Sequence, residues 1–158
     1  MPDTFTHATL GLVAGVLVSR NPLTWIIAVL LSEIPDIDAF TLKHRAISHS
    51  IIVLFPAAIL LSIVLENIGF STTQAVLLAV LPLLHIAIDS TTGGPPVKIL
   101  WPISSKGVQL ASKVDIVIEK LIVVSPYSYY KEVIRVNLVL FICILLLTLL
   151  TLLHNFPK

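Results

Sequence analysis

The sequence has 158 residues, of which 56% are hydrophobic and 12% are charged, and its mean hydropathy is +1.00. These values lie outside the usual balance of soluble domains and predict an integral membrane protein. The net charge of +1 predicts no nucleic-acid partner. Cys143 is the only cysteine, which excludes a disulfide framework and a thiolate zinc site. The length and the absence of a linker-like stretch predict one domain over residues 1–158.

The apolar runs predict an all-α, integral membrane helical bundle of about five apolar helices with an interfacial segment. The approximate bounds of these helices are 6–19, 22–34, 46–66, 71–89 and 133–154. Asn21 and Pro22 suit the N-cap and the first turn of the second helix, and Ser71 with Gln74 forms a capping-box pattern at the fourth. A membrane span needs about 20 residues, so the third and fifth helices are long enough and the fourth nearly so. The first two helices are short, so we expect them to form a tilted or partly penetrating hairpin.

The segment 91–132 connects the helices of residues 1–90 with the last transmembrane helix, 133–154. It opens with a Gly-Gly-Pro-Pro turn and then interleaves lysines with Trp101 and aliphatic residues. This pattern predicts an interfacial helix or a partial re-entry of the chain over the site.

Histidines and aspartates gather in short motifs among the apolar runs. The candidate metal ligands are His7, Asp36, Asp38, His44, His49, His85 and Asp89. Such groups at membrane depth are destabilised by some kcal/mol unless they pair, bind an ion or face water. When the predicted helices are threaded through a bilayer, all seven residues fall on the same side. Because imidazole and carboxylate are the usual ligands of zinc and related ions, this convergence predicts a divalent-metal site.

The spacing within the motifs supports a shared ion. His85 and Asp89 are four residues apart in a predicted helix, so they project from one face, and Pro82 predicts a kink just before them. Asp36 and Asp38 are two residues apart in a segment expected to be extended, so they point the same way. They could bridge two ions, or act as one ligand and one base.

Each motif taken alone also has a structural explanation. The Pro35-Asp36 motif can cap a helix end, the His85–Asp89 pair can be a buried hydrogen bond, and a lone His7 can be a core residue. His154, at the other end of the chain, is expected to be an interfacial residue. The convergence of the motifs on one side is what favours the metal site.

Together, the motifs resemble the YdjM-type family of membrane-bound metal-dependent hydrolases. The matching motifs are Thr6-His7 with Gly11, Pro35-Asp36-x-Asp38, His44-Arg45-x-x-Ser48-His49-Ser50, His85-x-x-x-Asp89 and Leu100-Trp101-Pro102-Ile103-Ser104. A more distant similarity runs to zinc-dependent phospholipase C. The chain departs from the family pattern at Ala46, Ser48 and Ser105, where glycine, threonine and an acidic residue are expected. It also lacks the second HxxxE-like pair of the phospholipases, so one or two ions are expected instead of a three-metal cluster.

The resemblance implies a metal-dependent hydrolase, and the metal chemistry suits a phosphoester of a lipid or lipid-linked phosphate substrate. Zinc is the expected ion, with manganese as the alternative. Asp36 and Asp38 are the candidate ligands that could also act as the catalytic base. Arg45, with Lys43, could hold phosphate oxygens. Arg45 fits a second role equally well, as a basic anchor at the membrane edge.

Eight of the ten basic residues fall on the side of the motifs, so the positive-inside rule predicts a site that faces the cytoplasm. The family resemblance implies that the membrane is the inner membrane of the cell. The alternative function is a non-catalytic metal-binding scaffold or a transporter. A transporter needs polar residues through the depth of the bilayer, and the side opposite the motifs contributes almost none.

Overall fold

The computed structural model describes residues 4–40, 47–91 and 96–109, and residues 135, 138–139, 141–146 and 148–150 of a C-terminal helical segment. For residues 38–40 it describes the backbone only. The elements in chain order are α1 Thr4–Val18, α2 Pro22–Glu33, a 3₁₀ helix Ile34–Phe40, α3 Ile51–Asn67, α4 Thr72–Ala79 and α5 Leu81–Thr91. In the described part of the chain the one extended pairing is an isolated bridge between Val97 and Val108. The predicted all-α class is therefore confirmed for these residues.

Helices α1 and α2 form a hairpin with unusually close backbones. Asn21 caps α2 as predicted, because its Oδ1 accepts the backbone N–H two residues further on at 3.0 Å. A Cβ added to Gly11 would lie 2.7 Å from Cα of Val29, and one added to Gly15 would lie 2.7 Å from Cα of Trp25. Glycines spaced four apart therefore let the two helices approach within a distance that no larger residue allows.

Helix α3 begins at Ile51, five residues later than the pattern predicted, so the predicted start near residue 46 is wrong. Ser50 is the N-cap and has an extended backbone with φ −92° and ψ 125°. The backbone N–H of Ile51 donates to the carbonyl of Ile99 at 2.9 Å, which ties the chain to a distant segment before the helix starts. His49 consequently precedes α3 instead of lying in its first turn.

The predicted fourth helix is present as two helices, α4 and α5, separated at Val80. The capping box at its start is confirmed, since Ser71 Oγ accepts the Gln74 N–H and Gln74 Oε1 accepts the Ser71 N–H. The helix is interrupted at Val80, close to Pro82, which has no N–H to donate to the carbonyl of Leu78, and the predicted kink itself stays a prediction. Helix α5 carries two of the candidate ligands, His85 and Asp89.

Buried aliphatic side chains from α2 to α5 form the main core. Its fully buried members are Ala28, Leu31, Leu65, Ala75, Leu78 and Leu81. The outer surface is also apolar, with Leu17 81% exposed, Leu60 65% and Leu30 62%. Exposed apolar surface on this scale is unstable in water and fits a lipid environment.

Within the described residues, the stretch Thr72–Thr91, which comprises α4, Val80 and α5, is the one that is long and apolar enough to cross a membrane, with 20 residues and a mean hydropathy of 1.6. Thr4–Val18, Ile51–Asn67 and Phe141–Leu150 are shorter apolar helices. The number of spans in the predicted membrane bundle therefore stays a prediction. The predicted interfacial connection is described only over 96–109, where it forms a turn and a bridge, not a helix, and its remainder up to residue 132 lies outside the described residues.

Candidate metal centre

Five of the seven predicted ligands meet at one end of the helices. They are His7 near the start of α1, Asp36 in the 3₁₀ helix that follows α2, His49 just before α3, and His85 and Asp89 on α5. The three imidazoles and Asp89 are almost completely buried, whereas the side chain of Asp36 is 27% exposed. Asp36 therefore lies at the opening of the cluster.

The other predicted site residues are not placed. His44 and Arg45 lie outside the described residues, as does the side chain of Asp38. Their predicted roles as ligands, base and phosphate contact stay predictions. The predicted extended segment at Asp36 and Asp38 is wrong, because residues 34–40 form a 3₁₀ helix. Residues two apart in a 3₁₀ helix are separated by about 240° around its axis, so the expected common direction of the two carboxylates does not hold.

His85 is held in the orientation that a metal ligand needs. Its Nδ1 lies 2.7 Å from the carbonyl oxygen of Ser32, an atom that can only accept a hydrogen bond. Nδ1 must therefore carry the proton, which leaves the lone pair on Nε2. Nε2 has no hydrogen-bond partner among the described residues and lies 3.4 Å from Asp36 Oδ1 and 3.9 Å from Asp89 Oδ2. Backbone support of this kind fixes the tautomer of histidine ligands.

His49 approaches the same carboxylates from the other side. Its Nε2 lies 3.5 Å from Asp36 Oδ1 and 3.4 Å from Asp89 Oδ2. Its Nδ1 is 3.1 Å from Ser48 Oγ, which can accept a hydrogen bond from Nδ1–H. Ser48, expected from the sequence as a member of the motif, thus supports the ring that follows it.

The separations between these atoms fit a single ion. One ligand atom from each of Asp36, His49, His85 and Asp89 lies within 4.8 Å of all the others. Ligand atoms about 2.0–2.2 Å from one tetrahedral zinc ion lie about 3.3–3.6 Å from each other. Three of the four imidazole–carboxylate separations, 3.4, 3.4 and 3.5 Å, fall in that interval, and the fourth is 3.9 Å. Two nitrogens and two oxygens form a donor set suited to zinc and to related divalent ions.

His7 occupies a different place in the cluster from the other two histidines. Its Nε2 lies 3.1 Å from Asp89 Oδ1, whereas His49 and His85 face the other oxygen of Asp89, Oδ2. Its ring stacks on the His85 ring, with centroids 3.5 Å apart. His7 can therefore orient Asp89 by a hydrogen bond, and the predicted direct bond between His7 and an ion stays a prediction.

The electrostatics keep Asp36 ionised. Burial raises the pKa of the Asp36 carboxyl, but the neighbouring imidazoles of His49 and His85 lower it by more. The pKa of Asp36 consequently lies well below its ordinary value of 3.8. A metal ligand must be deprotonated, and this carboxylate satisfies that requirement across the physiological range.

Comparison with known proteins supports the motif resemblance. Residues 1–156 match the family described as the YdjM inner membrane protein. The chain belongs to the YdjM inner membrane protein family. No curated protein and no solved structure matches it. The similarity to zinc-dependent phospholipase C therefore rests on the motifs alone.

In this YdjM-family chain the structure adds one supporting residue that the motif analysis missed, Ser32, and shows what Gly11 of the first motif does. Ser32 Oγ donates a hydrogen bond to the carbonyl oxygen of His7 at 2.8 Å, and the carbonyl oxygen of Ser32 accepts one from His85 Nδ1. A Cβ on Gly11 would lie 2.5 Å from Ser32 Oγ, so Gly11 makes the room for this contact. The available signal was a serine that directly follows the apolar run 25–31, four residues before Asp36.

Proposed function

We propose that this protein is a membrane-bound metal-dependent hydrolase that cleaves a phosphoester or related bond of a lipid from the cytoplasmic face of the inner membrane. The observation that supports the proposal most directly is the arrangement of Asp36, His49, His85 and Asp89, whose ligand atoms have the mutual distances of a metal site. Membership of an inner membrane protein family and the apolar outer surface support the lipid location.

The roles of the residues follow from their burial. A divalent ion held by the four side chains would act as a Lewis acid, and a fifth coordination position would let it activate water and polarise a phosphoryl oxygen. His85 and His49 are fully buried and keep bulk water away from one side of the centre. Asp36 is the partly exposed ligand, so the substrate would reach the centre past its carboxylate. This position also makes Asp36 a candidate base for the attacking water.

Two further roles come from the sequence. Asp38 is the second candidate ligand or base, since it follows Asp36 by two residues in the same 3₁₀ helix. Arg45, with Lys43, would neutralise phosphate oxygens through charge-assisted hydrogen bonds. The excess of basic residues on the motif side supports a cytoplasmic orientation.

The alternative is a non-catalytic metal-binding scaffold or transporter. A transport path needs polar groups through the depth of the membrane. In the described ranges, the fully buried ionisable side chains are His7, His49, His85 and Asp89, and all belong to this one cluster. This distribution favours hydrolysis at one membrane face over transport.

The test is hydrolysis by the purified protein in lipid nanodiscs, loaded with zinc or manganese. The substrates are a panel of phospholipids and a soluble nitrophenyl phosphodiester. We expect phosphoester cleavage that is abolished by His85→Ala and Asp36→Asn. The matched controls are His154→Ala, the one histidine outside the motifs, and Glu66→Gln, an exposed carboxylate at the end of α3, and both should keep wild-type activity. Metal binding without cleavage of any phosphoester would favour the scaffold.

A further inference from the structure

A short turn beside the metal centre presents apolar side chains to the outside. This apolar turn comprises residues 99–104, and two backbone hydrogen bonds close it, from Trp101 to Lys98 at 3.1 Å and from Ser104 to Leu100 at 3.0 Å. Ile103 is 83% exposed and Leu100 is 48% exposed, while Trp101 is half-buried. Clustered apolar side chains on a tight turn are unfavourable in water and typical of a membrane contact.

The apolar turn is joined to the helices that carry the metal ligands. Ser50 Oγ donates a hydrogen bond to the carbonyl of Trp101, and Ser50 directly follows His49. Val97, just before the turn, is fully buried against Leu54 of α3 and Ile86 of α5. Ile86 is the neighbour of His85, so the turn and the centre lie at the same end of the molecule.

Basic residues flank the apolar turn on both sides. Lys98 is half-buried just before it, and Lys106 is exposed just after it. The described segment 96–109 contains no acidic residue. Tryptophan with aliphatic neighbours suits the bilayer interface, and flanking lysines suit anionic headgroups. The charge and the shape of the turn therefore match an anionic lipid surface.

We infer that the apolar turn inserts Leu100, Trp101 and Ile103 into the interfacial layer of an anionic bilayer and holds the metal centre against the lipid headgroups. The link to lipid substrates rests on the proposed function, whereas the membrane contact itself does not. A scissile bond at headgroup level would then reach Asp36 without the lipid leaving the bilayer.

The first experiment measures the depth of the turn with a spin label. The background is Cys143→Ser, which removes the one native cysteine, and the label is attached through Ile103→Cys. The matched control is Ser105→Cys, an exposed position two residues further on. In vesicles containing anionic lipid, we expect the label at 103 to be accessible to oxygen and protected from an aqueous nickel complex. The ratio of its oxygen accessibility to its nickel accessibility should be several-fold higher than that of the label at 105.

Two results would overturn the inference. Equal accessibility to nickel at 103 and 105 would place the turn in water. Protection of the label at 103 from both oxygen and nickel would mean that another part of this chain or a second copy covers it. A shallower position in vesicles of purely zwitterionic lipid is expected, since the lysines then lose their partners.

A second experiment connects the turn with hydrolysis. Ile103→Ser should lose most of the cleavage of bilayer lipids while keeping the metal content and the cleavage of the soluble phosphodiester. An equal loss on both substrates would contradict the role of the turn in lipid access. If no variant cleaves any phosphoester, the proposed function fails, and the depth measurement alone still decides whether the turn enters the membrane.

Discussion

Substitution of Gly11 by alanine tests whether the α1–α2 packing supports the metal centre. The added Cβ would lie 2.5 Å from Ser32 Oγ and 2.7 Å from both the carbonyl oxygen of Ala28 and Cα of Val29. Two of these three atoms belong to the backbone, so the helices must move apart. Overpacking of this kind costs about 1–3 kcal/mol. For a chain of this size, a loss of 2 kcal/mol lowers Tm by about 4–8 °C.

The displacement caused by Gly11→Ala should also reach the centre. Ser32 is the residue whose carbonyl fixes the His85 tautomer and whose hydroxyl contacts the backbone of His7. Loss of such supporting contacts lowers metal affinity about 10- to 100-fold. We therefore expect weaker zinc binding for Gly11→Ala, measured by competition with a chelator below the unfolding temperature.

Gly15→Ala is the matched control. Its Cβ would lie 2.7 Å from Cα of Trp25, a clash of the same kind placed one helical turn further from Ser32. This variant should lose similar stability and keep wild-type zinc affinity. Unchanged Tm and affinity in Gly11→Ala, or an equal loss of affinity in Gly15→Ala, would refute the reasoning.

Three further substitutions separate ligands from supporting residues. Asp89→Asn should abolish retention of zinc through dialysis, because a neutral amide replaces the buried carboxylate that faces both His49 and His85; zinc retained as in the wild type would exclude Asp89 as a ligand. His7→Gln should weaken zinc binding by no more than about 100-fold, as for the loss of a contact that orients Asp89. A complete loss of zinc would instead indicate that His7 binds the ion directly. Ser71→Ala should lower the free energy of unfolding by about 1 kcal/mol through loss of the capping box, with zinc affinity unchanged; no change in the denaturant midpoint would contradict the observed cap.

The sequence was most informative where the determinant is local. The caps at Asn21 and Ser71 depend on hydrogen bonds two or three residues away, and both were predicted correctly. The spacing of His85 and Asp89 likewise placed them on one helix face. Short-range geometry is nearly independent of the rest of the fold, which is why these features could be read from the chain.

The features that the sequence did not reveal depend on long-range contacts. The late start of α3 coincides with the hydrogen bond between Ile51 and Ile99, which are 48 residues apart in the sequence. The support of His85 comes from a backbone carbonyl at Ser32, and no side-chain pattern marks a carbonyl. The different position of His7 likewise depends on which oxygen of Asp89 it meets, a detail set by the packing of α1 against α5.

The central claim is that the cluster of Asp36, His49, His85 and Asp89 binds one divalent ion. Elemental analysis of the detergent-purified protein after zinc loading and dialysis tests it most directly, with the wild type beside His85→Ala and His154→Ala. The account predicts a stoichiometric ion in the wild type and in His154→Ala, and none in His85→Ala. Zinc absent from all three proteins, or retained equally by His85→Ala, would contradict it.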